Sequence, residues 1–328
     1  MLPTLALAGL LASASLAPAD LAVIINKSDP LSEAIGNYYV SRRHIPRDNV
    51  VYVRFDSHTD QLSVDAFKSL EAEVDRRTPH HIQAFALTWA RPYRVGCMSI
   101  TAAFAFGNAA QDCADSCRNT PPNPYFNTFG SQPYDSFKLR PTMSLAAVSL
   151  AGAKALIDRG VRSDGSAPKG TAYLVTTNDA ARNVRSVEYP LADRVAGHEF
   201  NFQVATGVAP ATPRAVMFYF TGAASVGEIT GMPFLPGAIA DHLTSFGGML
   251  TDSPQMSSLR WLEAGATGSY GTVVEPCNGL GKFPDVPVLL AHYLAGETLL
   301  EAYWKSVRMP AQGIFIGEPL AAPFRSRQ

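Results

Sequence analysis

The chain has 328 residues, 47% of them hydrophobic and only 17% charged, with a formal net charge of −1. That length suffices for a sizeable core in one large or two medium domains. Near-neutral charge indicates neither a nucleic-acid footprint nor a polyanionic tail.

Residues 1–19 carry no charge and end Ala17-Pro18-Ala19 before Asp20. An apolar run closed by small residues predicts a secretory signal peptide cleaved near Ala19 and an exported protein, periplasmic or extracellular. The basic leader is missing, so the true start codon could lie upstream; a buried first strand or helix is the alternative. No later run of about 18 apolar residues exists, so no integral membrane segment is expected in the mature chain.

Residues 21–25 (LAVII) predict a buried strand, followed by a loop at Asn26, Asp29 and Pro30. Leu31, Ala34, Ile35, Tyr38 and Tyr39 are spaced for a helix over 31–43. A second strand is expected at 50–55, a helix at 63–76 capped by Ser63, and a third strand at 82–88. Residues 107–141 break this alternation with prolines, asparagines and two cysteines, predicting an inserted loop. Beyond it come a helix at 142–158, a strand at 171–176, an ambiguous, partly helical stretch at 190–204 and a strand at 215–220. Then follow a helix at 236–246, a short strand at 249–251 after Gly247-Gly248, and a helix at 255–264. Helical pattern at 288–307 and a last strand at 313–317 complete the chain. Strand and helix alternating predicts an α/β fold with a mostly parallel sheet. It forms one domain over 20–324, or two α/β halves at 20–106 and 142–324.

Gly265, Gly268 and Gly271 are expected to form a tight turn into a strand at Val273-Val274, which delivers Glu275, Pro276 and Cys277 to a strand end. The four cysteines are Cys97, Cys113, Cys117 and Cys277. In an exported protein an even count favours two disulfides, with three pairings open. A bonded sulfur is no nucleophile.

Ligands of open α/β sheets bind beyond the carboxyl ends of the strands. Those ends offer Trp89 and Arg91, Asn178, Asp179 and Arg182, Thr221, Asp252 and Glu275. Asn, Asp and Thr there also serve as caps and turns. An arginine can clamp a carboxylate or phosphate, or pair with a local Asp. The seven histidines show no metal-binding spacing, and no G-x-S-x-G, P-loop or G-x-G-x-x-G motif follows a strand. No metal and no cofactor are therefore expected.

The order AVMFYFTG, PGAIADHLTS, AGATGSYG and FIGEPL resembles the gingipain-type peptidase domain of the caspase clan over about 210–320. The matching pieces include the glycine turn and Gly317-Glu318-Pro319. Over nearly all of 21–324 the chain is similar to an uncharacterised secreted bacterial family found with exosortase, a sorting transpeptidase. AIGNYYVSRRHIP, LTWARPYRV, ITAAFAFG, TTNDAARNVR, ADHLTSFGG, WLEAGATGSYGTVVEPCN and AYWKSV carry that likeness. The resemblance implies a three-layer, caspase/gingipain-like α/β sandwich. Carried over, the catalytic His position falls on Thr221 and the Cys position near Thr251 or Asp252, neither of which does that chemistry.

Three readings follow. In the first, the protein binds an unknown protein or small-molecule ligand at the strand ends. In the second, it is a cysteine peptidase-like hydrolase using Cys277 with His242 or His292. In the third, Asp252, Glu275, Asp179 and Arg182 act as acid, base and anion clamp.

Overall fold

The computed structural model describes residues 15–107 and 113–326. Its strands are β1 (Leu21–Asn26), β2 (Val50–Val53), β3 (Gln61–Leu62), β4 (Ala84–Leu87), β5 (Arg94–Val95), β6 (Met98–Ser99), β7 (Thr142–Ser144), β8 (Thr171–Val175), β9 (Gln203–Gly207), β10 (Val216–Gly222), β11 (Phe234–Leu243), β12 (Gly268–Thr272) and β13 (Gly313–Gly317). The α-helices are α1 (Pro30–Arg43), α2 (Val64–Arg77), α3 (Ile100–Phe106), α4 (Pro133–Phe137), α5 (Leu150–Ser163), α6 (Tyr189–Asp193), α7 (Leu259–Ala264), α8 (Val286–Leu294) and α9 (Leu299–Ser306).

Ten strands form one sheet in the order β2-β1-β4-β7-β13-β12-β11-β10-β8-β9. All pairings within it are parallel except β12 with β13. A separate small sheet orders β3-β5-β6. The two α/β halves foreseen in the sequence thus share one sheet, with β13 between β7 and β12.

The apolar runs are continuous because the sheet is buried on both faces. In β1, Leu21, Val23 and Ile25 enter one core while Ala22 and Ile24 enter the other. The first core is packed chiefly by α1, α5, α6, α8 and α9, the second by α2, α3 and α7. The result is the three-layer sandwich expected.

Local chemistry sets the helix starts. Asp29 Oδ1 accepts from Leu31 N (2.9 Å) with Pro30 in the first turn of α1, and Ser63 Oγ accepts from Ala66 N (3.2 Å) at α2.

Several elements differ from expectation. Residues 236–246 form the end of β11 and its exit, not a helix; all of 237–243 are buried. Residues 249–251 form turns, not a strand. The 142–158 helix resolves into β7 and α5, and 190–204 ends in β9. Gly265 stops α7 at φ 119°, but Gly268 and Gly271 lie inside β12 rather than in a turn. A Cβ on Gly271 would sit 2.4 Å from Gly247 C, so glycine is required where the chain after β11 crosses β12. Among the described residues, no helix is long and apolar enough to cross a membrane.

Candidate functional site

All four cysteines are paired. Cys97 bonds Cys113, and Cys117 bonds Cys277. The second link ties the 107–141 loop to the chain after β12, where Lys282 Nζ (2.5 Å) and Gln312 Nε2 (3.1 Å) both donate to Ser116 O. The rest of the loop runs back over α9, with Asn123 Nδ2 donating to Trp304 O (2.8 Å) and Val307 O (3.0 Å).

Cys277 therefore lacks the thiol that the hydrolase reading needed. Its two proposed partners are committed elsewhere. His242 is buried in β11, where Trp261 Nε1 donates to Nδ1 (2.9 Å) and Nε2 lies 3.0 Å from Met256 O. Those bonds fix a neutral ring with the proton on Nε2. Burial pushes its pKa down to about 4, against the smaller raising effect of the Met256 carbonyl. His292 is held between Glu297 Oε1 and Asn127 Oδ1, each at 3.0 Å.

Glu275 is held by a local backbone bond. Its Oε1 accepts from Cys277 N (2.8 Å), shaping the turn that presents the disulfide. Asp252 is exposed and accepts from Tyr93 Oη (2.7 Å). Trp89 is a core residue whose Nε1 donates to Pro92 O (3.2 Å) and whose ring packs on Phe55 and Phe104. Arg91 pairs with Asp60 at 3.3 Å, and Asn178 is exposed. Among these residues the acid, base and clamp of the third reading do not form one hydrogen-bonded group.

What the fold does bring together lies at the carboxyl ends of β8, β10 and β11. Asp179 Oδ2 accepts from Arg182 Nη1 (2.8 Å), and Arg182 Nε donates to Thr244 Oγ1 (3.1 Å). Thr244 Oγ1 in turn donates to Gln255 Oε1 (2.6 Å), and Thr177 Oγ1 donates to Gly222 O (2.6 Å). Arg182 Nη2 has no hydrogen-bond partner among the described residues, and its side chain is 24% exposed. Gln255 and Ser253 also line an open cavity of about 650 Å³ with Ser225, Met256, Arg260 and Glu263. None of the described loop residues 113–141 enters that lining.

Thr221, buried at the end of β10, pairs in register with His242, and its carbonyl accepts from Arg185 Nη2 (3.1 Å). Arg185 also makes a buried ion pair with Asp241 at 2.5 Å, directly beneath this edge. Burial opposes both charges, and their mutual attraction keeps the guanidinium protonated. The strand after β10 is β11, which ends at Leu243, with Thr244 the next residue beyond it. Sequence reasoning missed Thr244 and Gln255, because reading 236–246 as a helix hid the strand end.

Gly317-Glu318-Pro319 also has a structural role. Glu318 is fully buried, and Arg43 Nε donates to its Oε1 (2.9 Å), fastening α1 to the exit of β13.

No protein-family model matches the sequence, and no curated protein matches it. Solved structures do. One is described as "Structure of Protease", with TM-score 0.53 and 10% identity, covering 95% of this chain and 80% of that one. Another is the "Complex of Porphyromonas gingivalis RgpB pro- and mature domains", with TM-score 0.53 and 10% identity, covering 92% and 79%. At this identity the likeness shows the fold alone: a gingipain-like α/β architecture.

Proposed function

We propose that this chain is an exported protein of gingipain-like fold that binds, and does not cleave, a carboxylate-bearing polypeptide at the ends of β8, β10 and β11. The observation that carries the reading is the pairing of every cysteine sulfur, beside a strand edge that keeps an open cavity and a partly exposed arginine. A caspase-clan mechanism needs a thiolate and a mobile imidazole. Here the strand-end positions hold Thr221 and Thr244, and the nearest imidazole, His242, is neutral and bonded on both nitrogens.

Arg182 fits the role of anchor. Asp179 and Thr244 fix two of its nitrogens, so Nη2 is presented with little remaining freedom. A guanidinium so oriented favours a carboxylate, by charge-assisted hydrogen bonding. The adjoining cavity is open and mixed in character, suited to a peptide segment. Two disulfides suit an oxidising compartment. The resemblance to the exosortase-associated family makes a surface-destined protein the natural source of the ligand.

The test combines two measurements on protein purified without reductant. A peptide library read by mass spectrometry should show no time-dependent cleavage, while peptides bearing carboxylates bind. Arg182→Gln should weaken that binding by about tenfold or more, the scale of one charge-assisted hydrogen bond. Cleavage that a thiol alkylator stops would restore the peptidase reading. Equal affinity in the variant would remove Arg182 as the anchor.

A further inference from the structure

Ser15 and Leu16 are tied to α9 and to Arg325 near the end of the chain. Leu16 is 1% exposed and belongs to the main core, so it is not a passing leader residue. The Ser15 hydroxyl donates to Glu301 Oε2, and Leu16 N donates to the same oxygen (3.2 Å). Arg325 Nη2 reaches Ser15 Oγ (2.8 Å) and Leu16 O (3.0 Å). Glu301 Oε2 also accepts from Thr298 N (3.0 Å) and Thr298 Oγ1 (2.7 Å).

Glu301 is 0% exposed, yet its other oxygen, Oε1, is buried with no partner among the described residues. Glu297 Oε2 is likewise buried and unpartnered, although Oε1 of the same residue holds Lys305 Nζ (2.8 Å) and His292 Nδ1 (3.0 Å). Burial, then the charge of Glu297, raises the Glu301 pKa; Lys305 and the bonds from Ser15 and Thr298 oppose this. Buried carboxylate oxygens of this kind call for a cationic donor. The Ser15 nitrogen is one residue from Leu16 N and is attached to the carbon that bears the docked hydroxymethyl group. The three residues before it are Ala12-Ser13-Ala14, small at the two positions that a signal peptidase reads.

We infer that the mature chain begins at Ser15, released after Ala14, and that its new α-ammonium group docks against Glu301. This rests on the export reading above. Water adds across the Ala14–Ser15 amide under a signal peptidase. Its hydroxyl goes to the Ala14 carbonyl carbon and its proton to the Ser15 nitrogen, which takes a second proton from solvent below its ordinary pKa of about 8. No redox partner is needed. Cleavage near Ala19, the other small-residue site, would strip Leu16 from the core and two donors from Glu301.

The full chain is expressed in an exporting bacterial host, and the recovered protein is read by N-terminal sequencing and intact mass. A single species starting at Ser15 is expected. A start at Asp20 overturns this inference and leaves export standing. An uncleaved chain retained in the cytosol overturns both. Docking is then read from α-amine acylation at neutral pH, at least tenfold slower in the folded Ser15 chain than in urea. Glu301→Gln should return the rate to within threefold of the urea value. Should that variant not fold, a chain that keeps Ala14 serves, with a reactive α-amine and a lower melting temperature. Equal folded and unfolded rates in the Ser15 chain overturn docking.

Discussion

Removing the Cys117–Cys277 link by Cys117→Ala/Cys277→Ala should destabilise the protein more than removing Cys97–Cys113 in the same way. The two links close loops of very different size, with sequence separations of 160 and 16. In the chain-entropy description, a loop of the larger size removes about 5 kcal/mol from the denatured state at 25 °C, and one of the smaller size about 3 kcal/mol. Native contacts add to the first. Lys282 and Gln312 both hold Ser116 O beside Cys117, and those bonds lose their tether with the sulfur. Guanidinium unfolding at matched pH reads the difference. For a chain of this size the shifts correspond to about 7 °C and about 4 °C in melting temperature. Thiol titration of the parent in guanidinium without reductant should find no reactive sulfur. The reasoning fails if the Cys117→Ala/Cys277→Ala variant is as stable as the parent. It also fails if native protein without reductant is alkylated at Cys277, the mark of a free nucleophile.

Other perturbations test the edge itself. His242 titrates at about 4 folded, against about 6.5 unfolded, so its neutral ring contributes fully above about pH 6.5 and loses that contribution as pH falls toward 4. The stability difference between parent and His242→Gln should therefore shrink by about 2–3 kcal/mol between pH 7 and pH 4.5; a constant difference in urea unfolding contradicts the buried neutral ring. Asp241→Asn leaves the Arg185 guanidinium buried without its counter-charge and should cost about 3–5 kcal/mol, measured by guanidinium unfolding. Gly271→Ala places a methyl carbon 2.4 Å from Gly247 C and 2.5 Å from Gly248 N, backbone atoms that cannot rotate away. A loss of about 1–3 kcal/mol or more is expected, and a thermal melt within error of the parent would show the crossing to be looser than described.

The sequence was legible where burial and local chemistry agree. β1 reads as a strand because both faces are buried, and α1 because Asp29 and Pro30 begin it. The same logic misled at β11. Asp241 and His242 interrupt its apolar run, leaving Ile239 and Leu243 four apart as on a helix. Both polar residues are buried beside distant partners, Arg185 as counter-charge to Asp241 and Trp261 as donor to His242. Such partners cannot be inferred from a window of neighbours. Gly268 and Gly271 were misread for a related reason. Glycine signals a turn locally, whereas these two answer to close approach by Leu299 and by the 247–248 backbone. An even cysteine count foretold two disulfides, but the pairing depends on where the 107–141 loop comes to lie. Asp179 and Arg182 stand at one strand end in the sequence, where clamp and local ion pair are both open, while their link to Thr244 depends on where β11 ends.

That link separates the two halves of the problem. Reduction of Cys117–Cys277 releases the loop and the Glu275 turn, both beside β12 and β13. The Arg182 group draws its bonds from the ends of β8 and β11 and from Gln255, and none from the loop. Stability and recognition should then respond to different perturbations. Reductant should lower the melting temperature while the affinity for a carboxylate peptide holds within about threefold, less than about 0.7 kcal/mol. Arg182→Gln should do the reverse, since a partly exposed pair of this kind contributes at most about 1 kcal/mol to folding. If affinity fell in step with reduction, the binding surface would have to include the stapled loop, and the ligand would sit nearer Glu275 than Arg182.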